Sequence, residues 1–414
     1  MGICQTKTKN VAKGSGQQTL KIHACSWNVA EEKPVDNLTE WLGLDRGAKH
    51  EPAVIVVGLQ EVGDQAAWEE TLLNVLTERG YARAKHRSMA WLYTAVFVKQ
   101  RHLAFATNFE SETTKIDYGG PLSNKGAVSV RFNFYGVNAI FVNAHFTAHY
   151  KNTDDRIGDY GEIIDGQQFR DPSVKSILDH DYVVWFGDLN FRIDDLSKSD
   201  IERYIKRAEL TTLRPHDQLN KARAEKLVFV GFQAGAIDFN PTYKFDKGTD
   251  TYDTSSKQRK PAWTDRILWK VVENKFNKVK SLSYRSHPGY KMSDHKPISG
   301  EFEITVIKNA PELPVIFTPI SLPRSGTLAS FEVSYRCDAR RLETSTRDWL
   351  GLYRSDLKHA DAYETWVWAE TGTDDVSVTF TETENLSGKF VVAYFNRVKN
   401  CLVGYSNVFE IGPK

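Results

Sequence analysis

Asp188 and Asn190 stand one residue apart in DYVVWFGDLNFR (181–192), and on an extended backbone that spacing turns a carboxylate and a carboxamide to the same side. Taken alone, GDLN reads as the opening of a turn, because Gly, Asp and Asn are residues that turns favour. Two further stretches argue for chemistry. PAWTDRILW (261–269) places Asp265, and SDHKP (293–297) places Asp294 and His295, beside predicted strands. Glu61, Asn28, Asp188 and Asn190 offer hard oxygen ligands, which suit Mg²⁺ rather than zinc, and neither a Cys cluster nor an HExxH motif in the sequence points elsewhere. His295 near Asp265 makes an oriented imidazole, whose carboxylate partner fixes the tautomer and favours the charged form. A hard metal, a His–Asp pair and an aspartate that positions water are the equipment of phosphoester hydrolysis. Charge on the transferring phosphoryl is neutralised while water attacks in line.

The elements that hold these residues follow from the apolar pattern. Tyr182 to Phe186 is an unbroken apolar run bounded by Gly187, the mark of a strand buried on both faces. Residues 19–29 alternate and deliver Asn28; residues 52–59 form a second buried strand, delivering Gln60 and Glu61. The spacing of Trp68, Leu72, Leu73 and Leu76 predicts a helix over 66–79, stopped by Gly80. Strands are predicted over 92–99, 127–134 and 138–146, the last two as a hairpin across 135–137 that leads to His145. Helices over 200–207 and 215–226, a polar basic loop over 240–260, and strands over 266–272, 278–285 and 298–306 complete the unit. Mostly consecutive strands with a few helices predict an α/β sandwich. One rim of it collects Asn28, Glu61, His145, Asp188, Asn190, Asp265, Asp294 and His295.

A proline-rich stretch over 308–323 reads as a linker entering an edge strand. Beyond it, short strands over 330–335, 349–353, 376–380, 389–394 and 406–411 predict a β-sandwich without catalytic groups. The expected division is a tail over 1–18, a catalytic domain over 19–308, a linker over 309–323 and the β-sandwich over 324–414.

A chain of 414 residues with 26% charged and 41% hydrophobic content fits a soluble protein of one large and one smaller domain. Cys4, Cys25, Cys337 and Cys401 form no CxxC pair, which fits a reducing, cytosolic setting. No apolar run approaches the roughly 18 residues of a membrane span. The start, Met1-Gly2-Ile3-Cys4-Gln5-Thr6, fits myristoylation of Gly2, with Cys4 open to palmitoylation and Lys7, Lys9, Lys13 and Lys21 following without an acid between them. One acyl chain holds a membrane only marginally, so two chains and the lysines together make the expected anchor.

The chain resembles the inositol polyphosphate 5-phosphatases over about residues 20–306. The resemblance rests on WFGDLNFR (185–192), KPAWTDRILW (260–269), SWNV (26–29), GLQEV (58–62), NKG (124–126), NAHFTAH (143–149), PTYKFD (241–246) and SDHKP (293–297). DWLGLYRSDLKHADAYETWVWA (348–369) resembles a SKICH domain, pointing to the SKICH-bearing subgroup. The resemblance implies a four-layer α/β sandwich of the DNase I/apurinic endonuclease type followed by an immunoglobulin-like β-sandwich. It implies Glu61 as the Mg²⁺ ligand with Asn28 beside it, and Asp188, helped by Asn190, as the group that orients and deprotonates water. It further implies His295, paired with Asp265, and His145 on the scissile phosphate. Tyr243 and Lys244 match the region that meets the 4-phosphate; Lys125, Asn143 and Arg266 are further substrate-binding candidates. Thr264 stands where many members carry Cys.

The expected substrate is a phosphoinositide in the cytosolic leaflet, met by a cytoplasmic protein peripheral to membranes, with a protein partner open to the SKICH-like domain. Nucleic acid is excluded as a partner by the absence of a basic excess, the net charge being +1. A non-catalytic adaptor is opposed by the intact set Glu61, Asp188, Asn190, Asp265 and His295, and a soluble inositol phosphate remains the alternative substrate.

Overall fold

The computed structural model describes residues 16–47, 50–116, 124–272, 274, 276–307, 313–323, 328–370 and 375–412, so the acylation signals at Gly2 and Cys4 lie outside the described residues. Its first unit is built on β1 (Gln17–Asn28), β2 (Val54–Gln60), β3 (Tyr81–Met89), β4 (Leu92–Lys99), β5 (Ala106–Lys115) and β6 (Gly126–Phe134). It continues through β7 (Val137–His145), β8 (Tyr182–Asp188), β9 (Gln233–Ala234), β10 (Asp265–Val271), β11 (Val279–Ser286) and β12 (Ile298–Ile307). They form two sheets, ordered β11-β12-β1-β2-β4-β3 and β5-β6-β7-β8-β10-β9. Neighbours are antiparallel except β1–β2 and β7–β8. Parallel neighbours need long crossovers, and the one from β7 to β8 carries the helix Thr153–Gly166.

The sheets pack face to face. Ile22, Ala24, Val54 and Val56 of one meet Phe132, Phe141, Phe186 and Ile267 of the other in one buried cluster. The outer face of the first sheet buries Trp27, Ile55 and Val57 under the helix Gln65–Glu78, through Trp68, Leu72 and Leu76. The outer face of the second buries Trp185 and Leu268 under Ile163, Leu219 and Phe229. Helix, sheet, sheet and helix make four layers, which is the expected α/β sandwich. Residues of β2 and β8 are buried along their whole length, which is why both read as continuous apolar runs. Gly58 is required where β2 faces β8 across the core, since a Cβ there would lie 2.2 Å from the Phe186 ring. Gly187 has φ +137° and would place a Cβ 1.9 Å from the Ala144 carbonyl oxygen, so only glycine brings β8 beside β7 at the step before Asp188.

The second unit is a β-sandwich. One sheet joins Val315–Phe317, Ser330–Cys337 and Val376–Thr381; the other joins Tyr363–Trp368, Trp349–Arg354, Gly388–Asn396 and Cys401–Tyr405, with Phe409–Ile411 against Gly388–Asn396. It docks on the first unit through Arg83 N donating to the Lys358 carbonyl at 2.9 Å and Gln100 Nε2 donating to the Asp356 carbonyl at 2.7 Å. Leu357 and Leu402 line a small apolar seam with Ala82, Leu103, Ala106 and Phe109.

Several elements differ from expectation. β3 and β5 are polar edge-side strands, YARAKHRSM and ATNFESETTK, in which no regular apolar alternation marks a face. The helix Thr153–Gly166 carries two interior glycines and five acids that hide its apolar stripe. The predicted helix over 215–226 shortens to Gln218–Ala224 because Asp217 caps it, its side chain accepting from Asn220 N, while Pro215 falls in a preceding 3₁₀ turn. Val315–Phe317, inside the expected linker, is a strand paired with Ser330–Cys337. Tyr363–Trp368 and Cys401–Tyr405 are further unanticipated strands, and the strand expected over 406–411 is confined to Phe409–Ile411.

Candidate active site

Strand ends assemble the site. β1 ends in Asn28, β7 in His145 and β8 in Asp188, while Glu61 follows directly on β2. β10 runs antiparallel to β8 and starts at Asp265, its Cα partner being Asp188. His295 lies just before β12, whose pairing with β1 carries it toward Asn28. Trp27 Nε1 donates to the His295 carbonyl at 3.0 Å, and Ser293 Oγ to the Asn28 carbonyl at 2.7 Å, fixing the SDHKP segment over that strand end.

Asp188 is the hub. Its Oδ2 lies 3.3 Å from His145 Nε2 and 4.0 Å from His295 Nε2, and accepts from Asn28 Nδ2 at 3.1 Å. Its Oδ1 accepts from Asn190 N at 3.0 Å. Burial alone would raise this carboxyl, but the His145 hydrogen bond and the charges of His295 and Lys125 outweigh it and hold Asp188 well below the usual carboxylate range. Asn190 adopts φ +55°, which Asn tolerates, and spends its amide on the Phe146 carbonyl at 3.0 Å while its oxygen accepts from Arg192. Its part is to hold the Asp188 turn.

His295 Nδ1 meets Asp265 Oδ2 at 3.0 Å, and that oxygen also accepts from Thr242 Oγ1 at 2.7 Å and Thr264 Oγ1 at 3.0 Å. Burial would lower the imidazole, but Asp265, followed by Asp188 and Asp294, raises it from 6.5 to about 10, so it is an imidazolium at neutral pH. His145 behaves oppositely. Burial, then the Lys125 ammonium, lowers it, and Lys125 Nζ lies against its Nε2. Burial likewise lowers Lys125, opposed by Asp188 and Glu61. That Nε2 atom faces both an ammonium and a carboxylate, and one imidazole nitrogen serves only one of them, as acceptor from Lys125 or donor to Asp188.

Two donor sets bear on a metal. Asp188, Asp265 and His295 have ligand atoms within 4.8 Å of one another. An imidazolium whose Nδ1 proton is given to Asp265 has no lone pair to offer, so this trio is better suited to an anion. Glu61 fits a hard cation: its side chain is 31% exposed, its Oε1 lies 3.8 Å from His145 Nε2, and a φ of +54° turns it away from the strand's alternation into the cleft. Asn28 Oδ1 accepts from Ala30 N at 3.0 Å and keeps one lone pair for such an ion.

Tyr243 packs on the His295 ring at 4.6 Å between centroids, with the Arg192 guanidinium 4.3 Å from its own ring centre. Lys244 pairs with Asp294 and is partly exposed beside them. Two expected substrate contacts are corrected. Asn143 is fully buried between the sheets, where Gln60 Nε2 donates to its oxygen at 2.7 Å and its amide donates to the Leu59 and Tyr93 carbonyls at 3.2 and 3.0 Å. Arg266 lies on the opposite face of β10 from Asp265, as strand alternation requires. It is buried there in an ion pair with Asp217 at 2.8 Å. Sequence reasoning missed Thr242, Thr264 and Arg192. All three lie inside quoted motifs, but only their contacts with Asp265, His295 and Tyr243 reveal a role.

Comparison with known proteins accords with this geometry. Residues 25–301 match the endonuclease/exonuclease/phosphatase family 2, and residues 321–411 match the SKICH domain. Inositol polyphosphate 5-phosphatase K of Mus musculus is 30% identical over 95% of this chain and 90% of its own length. Phosphatidylinositol 4,5-bisphosphate 5-phosphatase A of Mus musculus is 34% identical over 98% of this chain, which spans only 44% of that longer protein. Among solved structures, the inositol polyphosphate 5-phosphatase domain of Spsynaptojanin, in complex with inositol (1,4)-bisphosphate and a calcium ion, superposes with a TM-score of 0.65. It is 35% identical, covering 70% of this chain and 86% of that one.

Proposed function

The chain belongs to the endonuclease/exonuclease/phosphatase family and, within it, to the SKICH-bearing inositol polyphosphate 5-phosphatases, and from that premise we propose that it hydrolyses the 5-phosphate of phosphoinositides. PtdIns(4,5)P2 would give PtdIns4P, and PtdIns(3,4,5)P3 would give PtdIns(3,4)P2. The observation that carries this reading is the opposition of a deprotonated Asp188 to a protonated His295, 4.0 Å apart at the mouth of the sandwich.

Asp188 is a proton acceptor held in place by Asn28 and Asn190, so it can orient a water and take its proton as the hydroxyl oxygen bonds to phosphorus. His295 presents Nε2–H to a phosphate oxygen, with Asp265 keeping that proton in place through Nδ1. The cationic Lys125 adds a second positive group beside His145. The bond from phosphorus to the ring oxygen breaks, that oxygen keeps the bonding pair and takes, in net, the proton that Asp188 removed from the water, and inorganic phosphate leaves. Glu61 and Asn28 would hold a Mg²⁺ ion, which supplies charge neutralisation for the phosphoryl oxygens. Lys244 and Tyr243 stand at the side of the site where a neighbouring ring phosphate is met.

The same reading makes the protein peripheral on cytosolic membrane faces, supported by the MG-x-x-x-T start and its lysines, with the SKICH domain open to a protein partner. Phosphate release should be measured from PtdIns(4,5)P2 and PtdIns(3,4,5)P3 vesicles and from Ins(1,4,5)P3, with Mg²⁺ or EDTA, beside Asp188→Ala. Mg²⁺-dependent release from the lipids, abolished by the substitution, is expected. Release from Ins(1,4,5)P3 alone would make the substrate soluble, and no release at all would leave an adaptor.

A further inference from the structure

Thr264 lies inside the site and has no part in the mechanism above. It is fully buried; its hydroxyl donates to Asp265 Oδ2 at 3.0 Å and lies 3.4 Å from His295 Nδ1, while its carbonyl accepts from Leu189 N at 2.8 Å. One residue thus grips the His–Asp pair with its side chain and the segment between Asp188 and Asn190 with its backbone. Asp265 Oδ2 takes three donors, whereas Oδ1 is buried without a hydrogen-bond partner among the described residues. A carboxylate whose donors all sit on one oxygen is held against rotation by those donors, since nothing anchors the other end.

We propose that Thr264 is a positioning residue, its hydroxyl pinning Asp265 so that Oδ2 meets His295 Nδ1 and Nε2 stays turned toward Asp188 and the scissile phosphate. The threonine oxygen is also a second, longer acceptor for the Nδ1 proton, which adds to the hold on the ring's orientation. The charged groups acting on the ring are Asp265 from β10, Asp188 from β8 and the neighbouring Asp294, with the Tyr243 ring against its face. Among the described hydrogen bonds, Nδ1 meets only Asp265 and Thr264.

Thr264→Val keeps the shape and removes the hydroxyl, while Thr264→Ser keeps the hydroxyl and removes the methyl. In the full chain without added metal, the titration of His295 followed by ¹⁵N NMR should coincide for wild type and Thr264→Ser. It should fall by about one pH unit in Thr264→Val as the hold of Asp265 loosens. In phosphate release, Thr264→Val should lose about tenfold in kcat with KM within about twofold, and its alkaline limb should move to lower pH by the same amount. Should Thr264→Val not fold, Thr264→Cys, a weaker donor, should show the same changes at smaller size. A wild-type titration and kcat in Thr264→Val overturn the proposal. So does Thr264→Ser impaired as much as Thr264→Val, which would assign the position to methyl packing. The proposal rests on the hydrolytic reading, yet the titration needs no turnover. A wild type that releases no phosphate therefore rejects that reading while the NMR comparison still decides Thr264.

Discussion

Replacing Asp265 with Asn keeps the shape of the side chain and removes the charge that makes His295 a cation. The imidazole is raised from 6.5 to about 10 against the pull of its own burial, and at about 1.4 kcal/mol per pH unit the site favours the imidazolium by roughly 5 kcal/mol. Asp265 is the largest favourable cause, so in Asp265→Asn the titration falls from about 10, with Asp188 and Asp294 left to oppose burial. A smaller share of molecules then presents a charged ring to the phosphate. Loss of a preorganised charge at the transferring group typically costs on the order of 10²–10³-fold in kcat. A short-chain, water-soluble substrate keeps membrane binding out of the measurement. The wild type should stay active into alkaline pH, falling only as His295 deprotonates near pH 10, and the variant's activity should fall at a lower pH. The sign for stability follows from the same numbers. A raised folded value stabilises fully below 6.5 and is lost as pH climbs through about 10. Urea unfolding should therefore show the wild type's advantage over Asp265→Asn shrinking across that window. A variant within about threefold of wild-type kcat with an unshifted alkaline limb would refute the imidazolium as the phosphate-neutralising group.

Glu61→Gln should raise the Mg²⁺ concentration for half-maximal turnover by tenfold or more, and an unchanged requirement would move the metal to another donor set. Arg266→Met breaks a buried ion pair and should cost about 3–5 kcal/mol in unfolding free energy with KM little changed. A raised KM at unchanged stability would return Arg266 to the substrate. Lys244→Ala should raise KM for a 4,5-bisphosphate more than for a substrate lacking the 4-phosphate, and equal losses would assign it to holding Asp294. Gly2→Ala should move the protein from membrane to cytosol on fractionation without altering turnover of a soluble substrate, whereas unchanged association would shift targeting to the SKICH domain.

What the sequence made legible was what burial and short spacing encode. β2 and β8 have no solvent-facing side, so their composition alone marks them, and the residues at their ends could be named. β3 and β5 lie to the sides of their sheets and carry charge on half-exposed positions, which is how loops also look. The His295–Asp265 contact joins residues thirty apart, and its proximity was inferable only from two motifs ending at one rim. Motif membership did not separate Asn143 and Arg266 from their catalytic neighbours, because a motif contains the residues that build a site as well as those that act in it.

Strand parity separates them. Along β10, Ile267 points between the sheets and Leu268 outward, so Asp265 shares the inner side and Arg266 the outer one, where Asp217 neutralises it. Along β8, Asp188 is in phase with Phe186; along β1, Asn28 is in phase with Ile22 and Ala24. The catalytic cleft is therefore the open end of the inter-sheet core, reached where each inward-facing row passes from apolar to polar at its last position. His145 and Asn143 share one row of β7. The outer of the two meets Asp188, and the inner ties the sheets together through Gln60, Leu59 and Tyr93. Glu61 is the exception that suits its proposed task. Parity would bury it in the outer face with Leu59, and the φ of +54° at the end of β2 turns it instead toward the cleft, leaving one carboxylate exposed enough to bind an ion from solvent.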